Sequence, residues 1–430
     1  MQQQIFDAYL NGDNIFMTGP GGTGKTYTIK NIYKHAKENN RKICVTALTG
    51  VAAVLLDCNA MTLHSWAGIG LANKSDMMII NKIYKSKYYR HNWENTDILI
   101  IDEVSMMSAQ LFDLLNKIGQ IIRKNNRPFG GIQIIFSGDF FQLPPVKENI
   151  FCFESVNFDK CFSHKFKNIF VLTKIYRQND AKFKKILLNL RMGLISKSTI
   201  ELLNSKVIKD NKELIKKLEG ENITRLVPTK SKANAINEFF IGKLKEKKYI
   251  YKRKFKENTE NMSEMERIKF DLMTDAEKET EYNLIRQNTM TEEIATLKKG
   301  AYVMCVANLN MEMGVANGST GIVVDFTKEK YPVVQFEKCK MTVGMKEYKS
   351  DNIPGISSYQ IPLILAWGIT IHKAQGLTLE RAILDIGKDI FECGQMYVAL
   401  SRLKSLEGLY LEEFSLENLK ININVLNFYK

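Results

Sequence analysis

Residues 19–26 of the 430-residue chain read GPGGTGKT, which fits G-x-x-x-x-G-K-[ST]. Glycines at this spacing let backbone N–H groups turn inward around phosphates, and a helix starting at the lysine aims its N-terminus at the same anion. Lys25 then reaches the β- and γ-phosphates and Thr26 offers its hydroxyl to magnesium. Gly19, Pro20, Gly21, Gly22, Thr23, Gly24, Lys25 and Thr26 are therefore assigned to ATP, with Mg2+ as its counter-ion. A second site candidate is ILIIDE at 98–103: Asp102 can hold magnesium through its water shell, and Glu103 can act as general base on an attacking water. Acidic pairs are common on surfaces, but this one follows four apolar β-type residues downstream of the glycine-rich loop. A third is SGDFFQLPPV at 137–146, where Gln142 is placed to sense the γ-phosphate; Phe140 and Phe141 read equally well as core aromatics.

The elements that must carry these groups alternate. NIFMTG (14–19), KICVTAL (42–48), DILIID (97–102) and GIQIIFSGD (131–139) read as buried strands, while KTYTIKNIYKHAKEN (25–39) and AQLFDLLNKIGQIIRK (109–124) have helical spacing. This rhythm predicts βαβ units and a parallel sheet. Ligands of such sheets bind at the carboxyl ends of the strands, where all three candidates fall. A second α/β pattern follows: NITRLVPT (222–229), KANAINEFFIGKL (232–244), RAILDIG (381–387) and GQMYVALSRL (394–403). Between its halves, residues 245–295 are rich in lysine and glutamate with few apolar anchors, and read as an exposed helical insertion. From Gly300 to Phe336, short strand-like runs alternate with glycine turns, and Asn317-Gly318 is a hairpin signal.

Composition limits the classes. Lysine and arginine number 61 against 47 acidic residues, a net charge of +14, which fits a polyanionic partner such as nucleic acid as well as it fits charge kept for solubility. No apolar run reaches the roughly 20 residues of a membrane span, and MQQQIFDAYL lacks the basic-then-apolar pattern of a signal peptide. The seven cysteines are scattered, with no C-x-x-C and no histidine at zinc spacing, as expected of reduced thiols in an intracellular protein.

The ordered segments GPGGTGKT (19–26), VTALTGVAA (45–53), TLHSWAGIG (62–70), IDEVSMM (101–107), SGDFFQLPPV (137–146), YRQND (176–180), NGSTG (317–321), ITIHKAQGLTLERAILDIG (369–387) and YVALSR (397–402) resemble the petite-integration-frequency (PIF) DNA helicases. These belong to group B of superfamily one, on the RecD-like branch. RPFGGIQ (127–133) resembles the element that separates this family from its RecD relatives. The resemblance spans Gln2 to about Leu411. Gly21 in the P-loop and Val104 after the acidic pair depart from the commonest pattern without removing a chemical group.

The resemblance implies an α/β fold with two RecA-like P-loop NTPase lobes: 1–67 with 93–175 as lobe 1A, a wedge 1B at 68–92, 176–295 with 359–430 as lobe 2A, and an SH3-like barrel 2B at 296–358. It implies ATP- and magnesium-dependent 5′-to-3′ movement on single-stranded DNA, unwinding of fork or partial-duplex DNA, and a monomer. Arg177 and Arg402 become cations reaching the γ-phosphate across the cleft between lobes. Gln2 stands at the family's adenine-contacting position, with Gln3 and Gln4 as neighbours in contention, and Tyr27 and Gly376 join the nucleotide set. Thr49, His64, Thr370 and His372 fall in segments that face single-stranded DNA in the family, and Trp66 and Phe141 are aromatics for base stacking. For both histidines a buried structural role is the alternative. The chain starts without the long N-terminal extension of many eukaryotic members, which fits a bacterial, phage or viral form; nuclear or mitochondrial residence stays open. So does the choice among forks, R-loops and G-quadruplexes, with possible tasks in repair, recombination or telomere maintenance. A DNA-stimulated ATPase that translocates without parting strands carries the same motifs.

Overall fold

A computed structural model describes residues 1–430 except 57, 71, 73–74, 146–149, 163–167, 210, 219, 261, 311, 351–352 and 354. Val146, the last residue of SGDFFQLPPV, thus lies outside the described residues, as do single positions of the expected wedge, barrel and charged insertion. The chain divides into two compact units. The first contains Met1–Leu194, Glu392–Tyr397 and Lys420–Lys430; the second contains Ile195–Phe391 and Val398–Leu419. The sequence reading assigned 176–194, 392–397 and 420–430 to the second lobe; their contacts group them with the first unit.

The first unit is built on β1 (Ile15–Thr18), β2 (Ile43–Ala47), β3 (Met61–Thr62), β4 (Ile98–Asp102), β5 (Gln133–Gly138) and β6 (Ile169–Val171), in the order β3-β2-β4-β5-β1-β6. Every pairing is parallel. Strands buried on both faces must be apolar throughout, and β1, β4 and β5 are wholly buried. Alternate residues face opposite layers. Ile15, Met17, Ile98, Ile100 and Ile135 meet helices α1 (Gln2–Leu10) and α2 (Lys25–Glu38); Phe16, Leu99, Ile101, Ile134 and Phe136 meet helix α7 (Ala109–Ile122). Between these come α3 (Gly50–Leu56), α4 (Leu63–Ala67), α5 (Asp76–Lys85) and α6 (Lys87–Asn95).

The expected wedge consists of α5 and most of α6. Ile79, Ile80 and Ile83 bury one face of α5 in the core, leaving Met77, Met78 and Tyr84 exposed. RPFGGIQ forms a tight turn on α7. Asn116 Oδ1 accepts from Phe129 N–H at 2.8 Å, and Arg123 Nε donates to Gly130 O at 2.8 Å. Gly119 makes this approach possible, since a Cβ there would lie 2.6 Å from the Phe129 carbonyl.

The second unit holds a four-stranded parallel sheet, ordered Gly368–Thr370, Arg225–Val227, Ala382–Ile386, Leu409–Phe414. A five-stranded antiparallel sheet contains Tyr302–Cys305, Thr320–Phe326 and Pro332–Phe336, flanked by Lys340–Thr342 and Leu363–Leu365. Asn317-Gly318 precedes its second strand but closes a longer loop than a two-residue hairpin: Gly318 N–H donates to Cys305 O at 2.8 Å. The charged stretch 245–295 departs from the all-helical expectation. It opens with strands Tyr249–Lys252 and Lys254–Glu257, continues in helices Glu264–Asp271 and Asp275–Asn288, and ends in strand Ile294–Leu297. Phe270 and Ile285 from the helices bury with Ile356, so sparse apolar residues still build a small core once the sheet supplies the other half.

Candidate active site

Parallel pairing sets the site. Thr18 pairs with Gly138, Ile101 with Phe136 and Ala47 with Asp102, so the ends of β1, β5, β4 and β2 form one rim. The loop after β1 crosses this rim with Gly19, Gly22 and Gly24 at φ of 139°, 80° and 90°. These glycines also admit close neighbours. A Cβ on Gly19 would lie 2.2 Å from Leu172 O, and one on Gly22 would lie 2.4 Å from Arg177 Cβ. Thr23 Oγ1 donates to Pro20 O at 2.9 Å. The result is a glycine-rich turn running into the first turn of α2, the arrangement in which main-chain N–H groups cradle polyphosphates.

Lys25 Nζ donates to Gly19 O at 2.6 Å and Pro20 O at 3.0 Å. Burial pulls its pKa below the usual lysine range, opposed by Asp139, Glu103 and Asp102, in that order. Asp102 is buried at the end of β4. Burial pushes its carboxyl up, while the Ser137 hydroxyl, the Glu103 backbone amide and Lys25 act the other way. Glu103 follows at φ 56°, a left-handed conformation unusual for a side-chain-bearing residue and a common mark of functional turns. Thr26 is exposed in the first turn of α2. A hydroxyl and a carboxylate are hard oxygen donors, so the set present fits magnesium with its water shell.

Gln142 is buried in the turn after β5, its N–H donating to Asp139 O at 2.9 Å. Of the three N-terminal glutamines, Gln2 lies against the loop, its Nε2 3.1 Å from where a Gly24 Cβ would sit; Gln3 is bonded to Asp7 and Gln4 is exposed. Tyr27 is 61% exposed. Arg177 belongs to the P-loop's own unit rather than facing it from the other lobe. Tyr176 N–H donates to Gly22 O at 2.8 Å, and Arg177 is half-buried; desolvation lowers its guanidinium, while Tyr397 and Glu103 act the other way. Arg402, 1% exposed in the second unit, donates to Val398 O at 3.0 Å, Leu377 O at 3.4 Å and Ser401 Oγ at 2.7 Å. Gly376 occupies a turn of that unit at φ 84°.

The nucleic-acid candidates divide. Thr49 Oγ1 accepts from Ala52 N–H at 3.2 Å and so starts α3. His64 is half-buried on α4, and burial lowers its pKa. Thr370 ends its strand and accepts from Lys373 N–H at 3.2 Å, while the His372 ring stacks on Phe391. Two of the expected base-stacking rings are buried. Trp66 is 1% exposed and packs on Trp93 at 4.6 Å between centroids, because α4 turns it into the core. Phe141 is 4% exposed, stacked on Tyr429 at 5.1 Å with Arg191 over its face at 4.3 Å. Neither ring has a face for a base.

The sequence reading also missed a polar cluster. Asp139, fully buried, receives Arg191 through Nε–H at 3.1 Å and Nη2–H at 2.8 Å. Tyr397 donates to its other oxygen. Asp139 and Tyr397 lie inside quoted motifs, which could have marked them. Arg191 and Tyr429 carry no local signal, since each gains meaning only from a partner far along the chain.

The PIF1-like helicase family model matches residues 1–201, and the model of the DNA helicase Pif1 2B domain matches 282–326. The ATP-dependent DNA helicase PIF1 of Danio rerio is 35% identical over all of this chain and 63% of its own length. The crystal structure of Pif1 helicase from Candida albicans is 31% identical, with a TM-score of 0.79 over all of this chain and 98% of that one. The Pif1 helicase from Bacteroides in complex with ADP-AlF3 and ssDNA is 26% identical, with a TM-score of 0.65 over all of this chain and 95% of that one. The chain spans 62–63% of the length of the first curated relatives it matches. Two RecA-like lobes are the fold common to this group.

Proposed function

Since the chain belongs to the PIF1-like helicase family, we propose that it is an ATP-driven DNA helicase that moves 5′-to-3′ on single-stranded DNA and parts duplex or forked DNA. The observation that carries the reading is the single rim on which the GPGGTGKT loop, the Asp102-Glu103 pair and the Gln142 turn converge at the ends of neighbouring parallel strands. The inward N–H groups of 19–26 and Lys25 bind the triphosphate. Thr26 and Asp102 would hold magnesium, which when bound neutralises charge on the phosphates. Glu103 takes a proton from the attacking water as its oxygen bonds to the γ-phosphorus and the bond to the β-phosphate oxygen breaks, leaving ADP and phosphate. Gln142 and Arg177 meet the γ-phosphate from the same unit, and Gln2 meets the base. Arg402, from the second unit, is the proposed second cation at the γ-phosphate. Thr49, His64, Thr370 and His372 are the proposed DNA contacts. A monomer is the proposed working unit.

A translocating ATPase without strand separation uses the same groups. Two short duplexes, one with a 5′ tail and one with a 3′ tail, separate the readings when incubated with ATP and magnesium. Opening of the 5′-tailed duplex alone, lost in Lys25→Ala, is expected. Opening of the 3′-tailed duplex alone overturns the direction, and DNA-stimulated hydrolysis with no opening of either favours the translocase.

A further inference from the structure

Two tyrosines from distant parts of the sequence grip the base of the P-loop within the first unit. Tyr397 Oη accepts from Gly21 N–H at 3.3 Å and donates to Asp139 Oδ2 at 3.4 Å. The Tyr429 hydroxyl shares a hydrogen bond with Thr18 Oγ1 at 2.5 Å and accepts from Phe140 N–H at 3.4 Å. Thr18 is the last residue of β1 and Gly21 the third residue of the loop, so the turn between them is held at both ends. Both tyrosines meet the same anchor. Asp139 sits in the fork of Arg191, and the Arg191 guanidinium lies 4.3 Å from the Phe141 ring and 5.3 Å from the Tyr429 ring. A buried, bidentate, charge-assisted pair with an aromatic contact has little freedom to move.

A glycine-rich loop has the most backbone entropy to lose when it must hold one shape for a ligand. Fixing that shape beforehand lowers the entropic cost that binding otherwise carries. We propose that Tyr397 and Tyr429, anchored on the Asp139–Arg191 pair, are positioning residues that hold the P-loop in its phosphate-binding shape. The proposal rests on the reading that this loop binds ATP. Neither hydroxyl has a part in the chemical step, so both act on nucleotide affinity.

Tyr397→Phe and Tyr429→Phe keep the rings and remove only the hydroxyls. For each, the ATP KM of DNA-stimulated hydrolysis is expected to rise about fivefold, the worth of one hydrogen bond of about 1 kcal/mol. The kcat should stay within about twofold, and the Kd of a fluorescent ATP analogue should weaken by the same factor as KM. Melting temperatures of the nucleotide-free variants report on folding separately. An unchanged KM and Kd in Tyr397→Phe overturns the proposal. So does a fall in kcat at constant KM, or a weakened Kd that tracks lost folded protein. Wild type that fails to bind the analogue, like Lys25→Ala, removes the ATP reading itself; tight binding by wild type and Tyr397→Phe alike removes the bracket alone.

Discussion

At the scale of single residues, Asp102 sets function against stability. Its carboxyl ends a buried strand, and burial raises it above the ordinary value of 3.8 despite Ser137, the Glu103 amide and Lys25. A carboxyl raised by folding supports the folded state below that ordinary value and withdraws the support as pH climbs through the raised one. Asp102→Asn removes the ionisation while keeping the shape. The nucleotide-free variant should therefore melt at a higher temperature than wild type at about pH 7, with the gain narrowing toward about pH 4, while ATP hydrolysis is lost. Thermal melts across this range check it. A gain that does not vary with pH assigns the effect to packing instead. The same residue scale separates the two arginines named from sequence: Arg177 stands beside the cradle in the first unit, and Arg402 lies in the second, where it donates to Val398 O.

At the scale of elements, α4 shows how one turn of helix decides a side chain's task. Thr62 caps it through Ser65 N–H at 3.3 Å, and Gly68 ends it in a left-handed turn. Between these, Leu63, Trp66 and Ala67 share the inward face, and His64 is left half-buried. Trp93 on α6 lies over Trp66 and donates from Nε1 to Ala67 O at 3.1 Å, tying α6 to α4. Trp66→Ala should cost about 3–5 kcal/mol in denaturant unfolding, as emptied aromatic sites do. The affinity of the remaining folded protein for single-stranded DNA should be unchanged. A variant of native stability with weakened DNA binding restores Trp66 as a base-stacking residue.

At the scale of the whole molecule, the net charge of +14 is a statement about partners that no single contact makes. If phosphates are the partner, binding releases counter-ions, and log K falls linearly with log salt, with a slope of roughly −3 for about four contacts to a single strand. Titrations of a labelled oligonucleotide at several salt concentrations check this. A flat response assigns the excess charge to solubility alone.

The sequence by itself determined the chemistry. A glycine loop, a lysine, a hydroxyl and two carboxylates can be read locally because each stands at a strand end whose apolar run is continuous in the chain, and the periodicity that marks those strands also places their ends together. Tertiary structure alone decided what depended on distant partners. Trp66 and Phe141 look alike whether they face solvent or core, and only Trp93 and Tyr429 close their faces. The charged 245–295 stretch hides strands because their apolar partners are supplied from residues near 356. Residues 420–430 return to the first unit because an aromatic core there has room for Val425 and Tyr429, a fact written nowhere near them in the chain. Local chemistry is carried by adjacent residues, whereas burial is a property of the surroundings, and that difference divides what was legible from what was not.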